Sequence, residues 1–302
     1  GLLQKHLNVP VGLVQIAVGG SPTESWIDRN SMEQDPLLVN ELTNWRNSDF
    51  YQPWARERAD INLRAAKNPG QRHPFDPAYN FESAISLWTE YRIQGVIWYQ
   101  GESNTHNPEL HEKLFPLLVN SWRRRWGYEF SFYYVQLSSL NRPSWPAFRF
   151  SQLQMHHKIP RSGMAVSSDA GDSTDVHPRR KKEVGERLAR LALHFTYGKK
   201  DIVPNGPVAL KAERQDDKLV ISFQTDGKLK TADGSHLRGF KWRNSKGVEN
   251  QSRAYIKDNM VIIPLDNNDK PVELLYGWEP YTNANLINEA GLPASTFRLK
   301  IN

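Results

Sequence analysis

Gly95-Val96-Ile97-Trp98-Tyr99-Gln100-Gly101-Glu102-Ser103-Asn104 changes character halfway along. Its first part is a β-branched and aromatic run that fits a buried strand; its second is a loop of glycine, amide and carboxyl groups. Leu13-Val14-Gln15-Ile16-Ala17-Val18 runs into Gly19-Gly20-Ser21 in the same way, and residues 130–137 and 163–168 read as two further strands ending in small polar residues. Between these runs the spacing turns helical: Leu114, Leu117, Leu118, Ser121 and Trp122 recur on one face, as do Val184, Leu188, Leu191, Ala192 and Phe195 after Pro178. Strands alternating with helices predict an α/β fold with a parallel sheet and crossover helices. Right-handed crossovers would bring all four polar loops to the carboxyl edge of that sheet, where open α/β sheets bind ligands.

Outward from this core the pattern changes twice. Residues 28–77 are rich in Trp, Pro and Arg and read as an irregular helical excursion. After Gly206, residues 208–212, 218–223, 254–256 and 260–263 are short alternating runs separated by Asp, Asn and Gly turns, which predict an antiparallel sandwich or sheet. The division falls at the Gly- and Pro-bearing residues 198–207, giving an α/β domain over 1–203 and a smaller C-terminal antiparallel β domain over 204–302.

The 302 residues are 38% apolar and 24% charged, the balance of a folded globular protein. The 0 cysteines exclude disulfides, thiolate metal sites and cysteine nucleophiles. The net charge of +6 is dispersed apart from Arg123-Arg124-Arg125 and Arg179-Arg180-Lys181-Lys182, both read as solvated helix faces. A nucleic-acid binder concentrates its charge, so nucleic acid is not expected as a partner. No apolar run nears the roughly 18 residues that span a bilayer, and the opening GLLQKHLNVPVG has no signal-peptide pattern, so no membrane partner is expected either. His73, His106, His111, His156 and His157 show no metal-ligand spacing, so no metal is expected.

Three constellations carry chemistry. Asp175-Val176-His177-Pro178 precedes a helix; an imidazole works as a general base when a carboxylate fixes its tautomer. Taken alone, these residues also fit a surface turn. Gly19-Gly20-Ser21-Pro22-Thr23-Glu24-Ser25-Trp26 places glycine N–H groups after a run of apolar residues, as an oxyanion requires. Alone it also reads as a helix start with Ser21 as N-cap and Glu24 at the capping-box position. The third is the loop Gln100 to Asn104, rich in amide donors.

In order and spacing, GGSPTESW (19–26), GVIWYQGESN (95–104) and DVHP (175–178) resemble the blocks of the sialate O-acetylesterase family of SGNH hydrolases. PAYN, FPLLVNSWRRRWG, FYYVQLSS, WPAFRFSQLQ and the tail VELLYGWEPYTNANLINEAGLPASTFR extend the resemblance to nearly the whole chain. The resemblance implies a three-layer α/β/α sandwich with accompanying β-structure, no cofactor, and removal of acetyl groups from sialic acid or plant polysaccharides outside the cytoplasm, in the periplasm or beyond the cell.

Carried over by position, it makes His177 the general base and Asp175 its orienting acid, with oxyanion and substrate contacts from Gly20, Gln100, Gly101, Glu102 and Asn104. Many SGNH enzymes place the acid three residues before the histidine, where Thr174 stands here, so Asp172 is the alternative. Arg149 is a candidate to orient a substrate carboxylate or hydroxyl, with a helix-surface role as the other reading. The family's nucleophile lies in a GQSNM block upstream of the segment where this chain begins. The expected partners are therefore an acetylated carbohydrate and an N-terminal fragment of the same enzyme, with Ser21 as a second candidate nucleophile. A noncatalytic carbohydrate-binding fragment and the large subunit of a two-chain esterase are the competing expectations.

Overall fold

The computed structural model describes residues 1–68, 70–251 and 253–302. Five short helices come first: α1 (Leu2–Leu7), α2 (Arg29–Glu33), α3 (Glu41–Asn44), α4 (Pro53–Leu63) and α5 (Tyr79–Ser83). Strands β1 (Gly95–Trp98), β2 (Ser131–Val135) and β3 (Ser162–Ala165) then form a parallel sheet in that order. Helices α6 (Pro108–Trp126) and α7 (Trp145–Lys158) make the crossovers, and α8 (Lys181–Leu191) follows β3.

All five residues of β2 are buried, because both faces of the sheet are covered. On one face Leu114, Leu118 and Trp122 of α6 and Met155 of α7 join Trp98, Phe132 and Tyr134 in a single core. On the other, Val184, Leu188 and Leu191 of α8 meet Tyr133, Val135 and Ala165. These are the three layers. Asn107 caps α6 by accepting the Leu110 N–H, and Gly127, at φ 75°, ends it in the left-handed conformation. Gly95 is required where β1 meets β2: a Cβ there would lie 2.7 Å from the Ser131 carbonyl oxygen.

The expected strand at 13–18 does not form. These residues have no ladder partner among the described residues, and Leu13 and Val14 are 81% and 57% exposed. A strand needs a neighbour to satisfy its N–H and C=O groups, and composition cannot supply one. The sheet therefore has three strands where four were expected, and Ile97 on β1 is left 60% exposed. Arg123 also departs from expectation. It is buried, and its guanidinium donates to the carbonyls of Phe130 (2.9 Å) and Pro160 (2.8 Å).

Beyond Val208 lie two four-stranded antiparallel sheets. Val208–Gln215, Lys218–Gln224, Met260–Pro264 and Tyr255–Lys257 form one; Phe297–Lys300, Pro271–Tyr276, Phe240–Asn244 and Glu249–Gln251 form the other. Leu219, Ile221, Val261 and Ile263 of the first share a core with Trp242, Leu274, Tyr276 and Phe297 of the second, which makes the sandwich. Leu153 of α7 packs against both this core and that of the α/β layers. Among the described residues no helix is long and apolar enough to cross a membrane.

Candidate active site

The carboxyl end of β1 runs into a tight turn at Gly101, whose φ of 150° and whose approach to Phe148 leave no room for a side chain: a Cβ would lie 2.6 Å from the ring. The helical turn Glu102–Asn104 follows. Opposite it, Trp26 anchors the 19–26 loop by packing edge-on against Trp98, while its carbonyl accepts from Trp122 Nε1 at 2.8 Å. Gly20, at φ 75°, turns the chain just before that anchor.

Buried and half-buried hydrogen bonds join the two loops. Ser103 Oγ donates to the Gly20 carbonyl (2.8 Å), and Gln100 Nε2 donates to the Ser21 carbonyl (3.2 Å) and to Asn104 Oδ1 (2.8 Å). Asn104 Oδ1 also accepts the Thr23 N–H (3.0 Å), while its Nδ2 donates to Glu24 Oε2 (2.9 Å). Both Gln100 amide hydrogens are thus occupied, so this side chain holds the loops together instead of standing free as an oxyanion donor. Asn104 keeps one amide hydrogen uncommitted, and the Gly20 N–H has no acceptor among the described residues.

The capping-box reading of the 19–26 loop is corrected. Pro22, not Ser21, precedes the helical turn Thr23–Trp26, and no side chain caps it. Ser21 Oγ donates to the Val18 carbonyl (2.7 Å) and accepts from Trp26 Nε1 (2.8 Å), and the residue is buried. Its hydroxyl hydrogen is engaged in shaping the turn, which removes it as a ready nucleophile. Thr23 and Glu24 were missed as site residues. The only sign of them in the sequence is polar side chains between a glycine turn and a tryptophan.

His177 lies on the loop between β3 and α8. Asp175 Oδ1 accepts the His177 backbone N–H at 2.8 Å and lies 3.5 Å from Nδ1, beyond direct hydrogen-bonding range. Asp172 is occupied differently: its Oδ1 accepts from Thr174 N, Thr174 Oγ1 and Asp175 N, contacts that hold its carboxyl below the usual range. Asp172 therefore braces the loop and Asp175 is the carboxylate beside the ring. The imidazole is 89% exposed. Val176, beside His177, packs against the same buried cluster as Tyr99, which leads into the Gln100–Asn104 loop. Burial pushes the Glu102 carboxyl up.

Arg149 is corrected on both of its readings. It is 0% exposed, and its guanidinium donates to the carbonyls of Gly277 (3.0 Å), Glu279 and Pro280 (3.0 Å). Burial pulls its pKa down to about 9. This arginine clamps α7 to the C-terminal sandwich. Arg149→Met should therefore lower stability by about 2 kcal/mol in urea unfolding, because buried carbonyls lose their donors. Unchanged stability combined with lost sugar binding would return it to the substrate.

Residues 72–194, which contain both the Gln100–Asn104 loop and the His177 loop, match the family model described as carbohydrate esterase, sialic acid-specific acetylesterase. The chain is 30% identical over 243 residues to the sialate O-acetylesterase of Rattus norvegicus, covering 70% of this chain and 44% of that protein. For the human sialate O-acetylesterase the figures are 28% over 242 residues, 70% and 40%. The chain thus spans less than half the length of these relatives. A crystal structure of a carbohydrate acetylesterase from Xanthomonas citri superposes with a TM-score of 0.81 at 28% identity, over 98% of this chain and 62% of that one. The chain belongs to the sialate O-acetylesterase family of carbohydrate esterases.

Proposed function

We propose that the protein hydrolyses acetyl esters on sugars by a Ser-His-Asp mechanism whose serine is carried on polypeptide N-terminal to Gly1. One observation carries this reading: the loop that presents His177 with the Asp175 carboxylate packs, through Val176, on the same cluster as Tyr99, from which the chain runs into the turn bonded to the Gly20 loop. The serine oxygen attacks the acetyl carbonyl while His177 Nε2 takes its proton. The ester C–O bond then breaks, and the departing sugar oxygen receives that proton. Water repeats the attack and releases acetate. Asp175 steadies the ring, and the Gly20 N–H and the free Asn104 amide hydrogen face the developing oxyanion.

Two features support an upstream serine. Ser21 and Ser103 both donate their hydroxyl hydrogens to backbone carbonyls. Ile97 on β1 is exposed in a parallel sheet, a class of sheet that otherwise buries both faces, and Leu13 and Val14 are exposed as well. The engaged serines also favour a second reading, a carbohydrate-binding chain without chemistry of its own.

A serine-directed fluorophosphonate separates these readings. With the upstream polypeptide present, the label is expected on a serine outside residues 1–302, and His177→Ala should prevent it. A label on Ser21 or Ser103 overturns the upstream placement. No label, with acetylated sugar bound but no acetate released, establishes the noncatalytic reading.

A further inference from the structure

The helical excursion at 28–77 brings one aromatic side chain to the site that the hydrolysis does not use. Trp54 stands in the first turn of α4, just after Pro53. Its Nε1 donates to Gln52 Oε1 at 2.7 Å, and its ring meets Phe75 edge-on at 5.9 Å between centroids. Its Cη2 lies only 3.1 Å from where a Cβ on Gly20 would be, so the absence of a side chain at Gly20 makes room for the indole. Gln52 also reaches the other loop, with Nε2 donating to the Glu102 carbonyl at 3.1 Å. Trp54 and its neighbour thus contact both loops of the site.

Despite these contacts Trp54 remains 39% exposed, whereas Phe75 beneath it is 5% exposed. An indole ring already fixed in place loses little freedom when a ligand covers it. It offers a flat apolar face with a polar group at its margin, here the Gln52 amide. A pyranose has the complementary form, with a C–H face and a rim of hydroxyls. Among the described residues, the atoms nearest a Cβ built on Gly20 or Gly101 belong to Trp54, Phe75, Phe148 and Gln152, and none to the exposed Tyr91, Phe195 or Tyr281.

We propose that Trp54 is the platform on which the pyranose ring of the acetylated sugar stacks, directing the acetyl group toward Gly20. The orientation rests on the esterase reading of the Gly20 loop; the stacking does not.

Saturation-transfer NMR of the chain with a mono-O-acetylated methyl β-xylopyranoside and, separately, with 9-O-acetyl-N-acetylneuraminic acid tests this. Strong saturation of ring C–H protons is expected for at least one sugar. Trp54→Ala should weaken binding about tenfold and abolish that pattern, while Trp54→Phe stays within about threefold of the parent and Phe195→Ala has no effect. The phenylalanine variant guards against a fold-only explanation. Equal binding by the parent and Trp54→Ala, or no binding of either sugar by the parent, overturns the platform and leaves the esterase reading standing. Trp54-dependent binding of acetylated and deacetylated sugar alike, with no serine labelled by fluorophosphonate, upholds the platform and sinks the esterase reading.

Discussion

Replacing His177 by alanine in a catalytically complete form of the protein is expected to lower p-nitrophenyl acetate turnover by about 10⁴-fold or more, by analogy with removal of a member of a Ser-His-Asp triad. Without an imidazole the serine has no acceptor for its proton at neutral pH, and the departing oxygen has no donor. The small reporter ester needs no sugar subsite, so its turnover reads the chemistry directly. Unchanged turnover would remove His177 from the mechanism.

The acid is resolved by a paired comparison. Asp175→Asn should cost about 10⁴-fold, because the amide cannot stabilise the imidazolium. Asp172→Asn should act mainly through the loop it braces, since its carboxylate accepts three hydrogen bonds from residues 174 and 175. Reversal of the two effects would make Asp172 the catalytic acid. At 3.5 Å and with the ring largely in solvent, the Asp175–His177 pair has room to tighten when substrate covers it.

Much of the α/β framework was legible because its signals are local. Residues 132–135 of β2 form a continuous aromatic and β-branched run, since both faces are buried, and the leucines of α6 recur at helical spacing. The His177 and Gly101 loops could be located from glycines and polar residues following strands. What the sequence hid depends on partners distant along the chain. Residues 13–18 have strand composition but no neighbour to pair with among the described residues, a property that lies outside the segment itself. Arg149 carries no local sign that its guanidinium meets carbonyls about 130 residues away. A sandwich was among the expectations, but the strands of its second sheet were not located because Phe240–Asn244 and Phe297–Lys300 mix charged with apolar residues, as half-exposed strands do. Glu24 was hidden by a plausible local alternative: a helix-capping role accounts for it equally well until Asn104, 80 residues on, is placed beside it.

Glu24→Gln should make the stability of the fold less dependent on pH between about 4.5 and 7. Glu24 is 0% exposed, its Oε1 has no hydrogen-bond partner among the described residues, and the nearby Glu41 is of like charge. Burial, opposed in part by the Asn104 hydrogen bond, pushes its pKa from 4.5 to about 7. Well below pH 4.5 the carboxyl is protonated in both folded and unfolded chains and contributes no difference. As the pH rises through this window the unfolded chain releases a proton that the folded chain keeps. Stability is therefore lost progressively until about pH 7, by about 3 kcal/mol in all. Glutamine has the same shape, keeps an acceptor for Asn104 Nδ2 and does not titrate. Urea unfolding should therefore show the variant gaining on the parent by about 3 kcal/mol between pH 4 and pH 8. Parallel stability curves would mean that Glu24 titrates at an ordinary value. The same titration reaches the site: around neutral pH the acceptor behind Asn104 changes from a neutral carboxyl to a carboxylate, which holds the amide more strongly. The side chain that orients a candidate oxyanion donor thus becomes a stronger anchor as the fold around it becomes less stable.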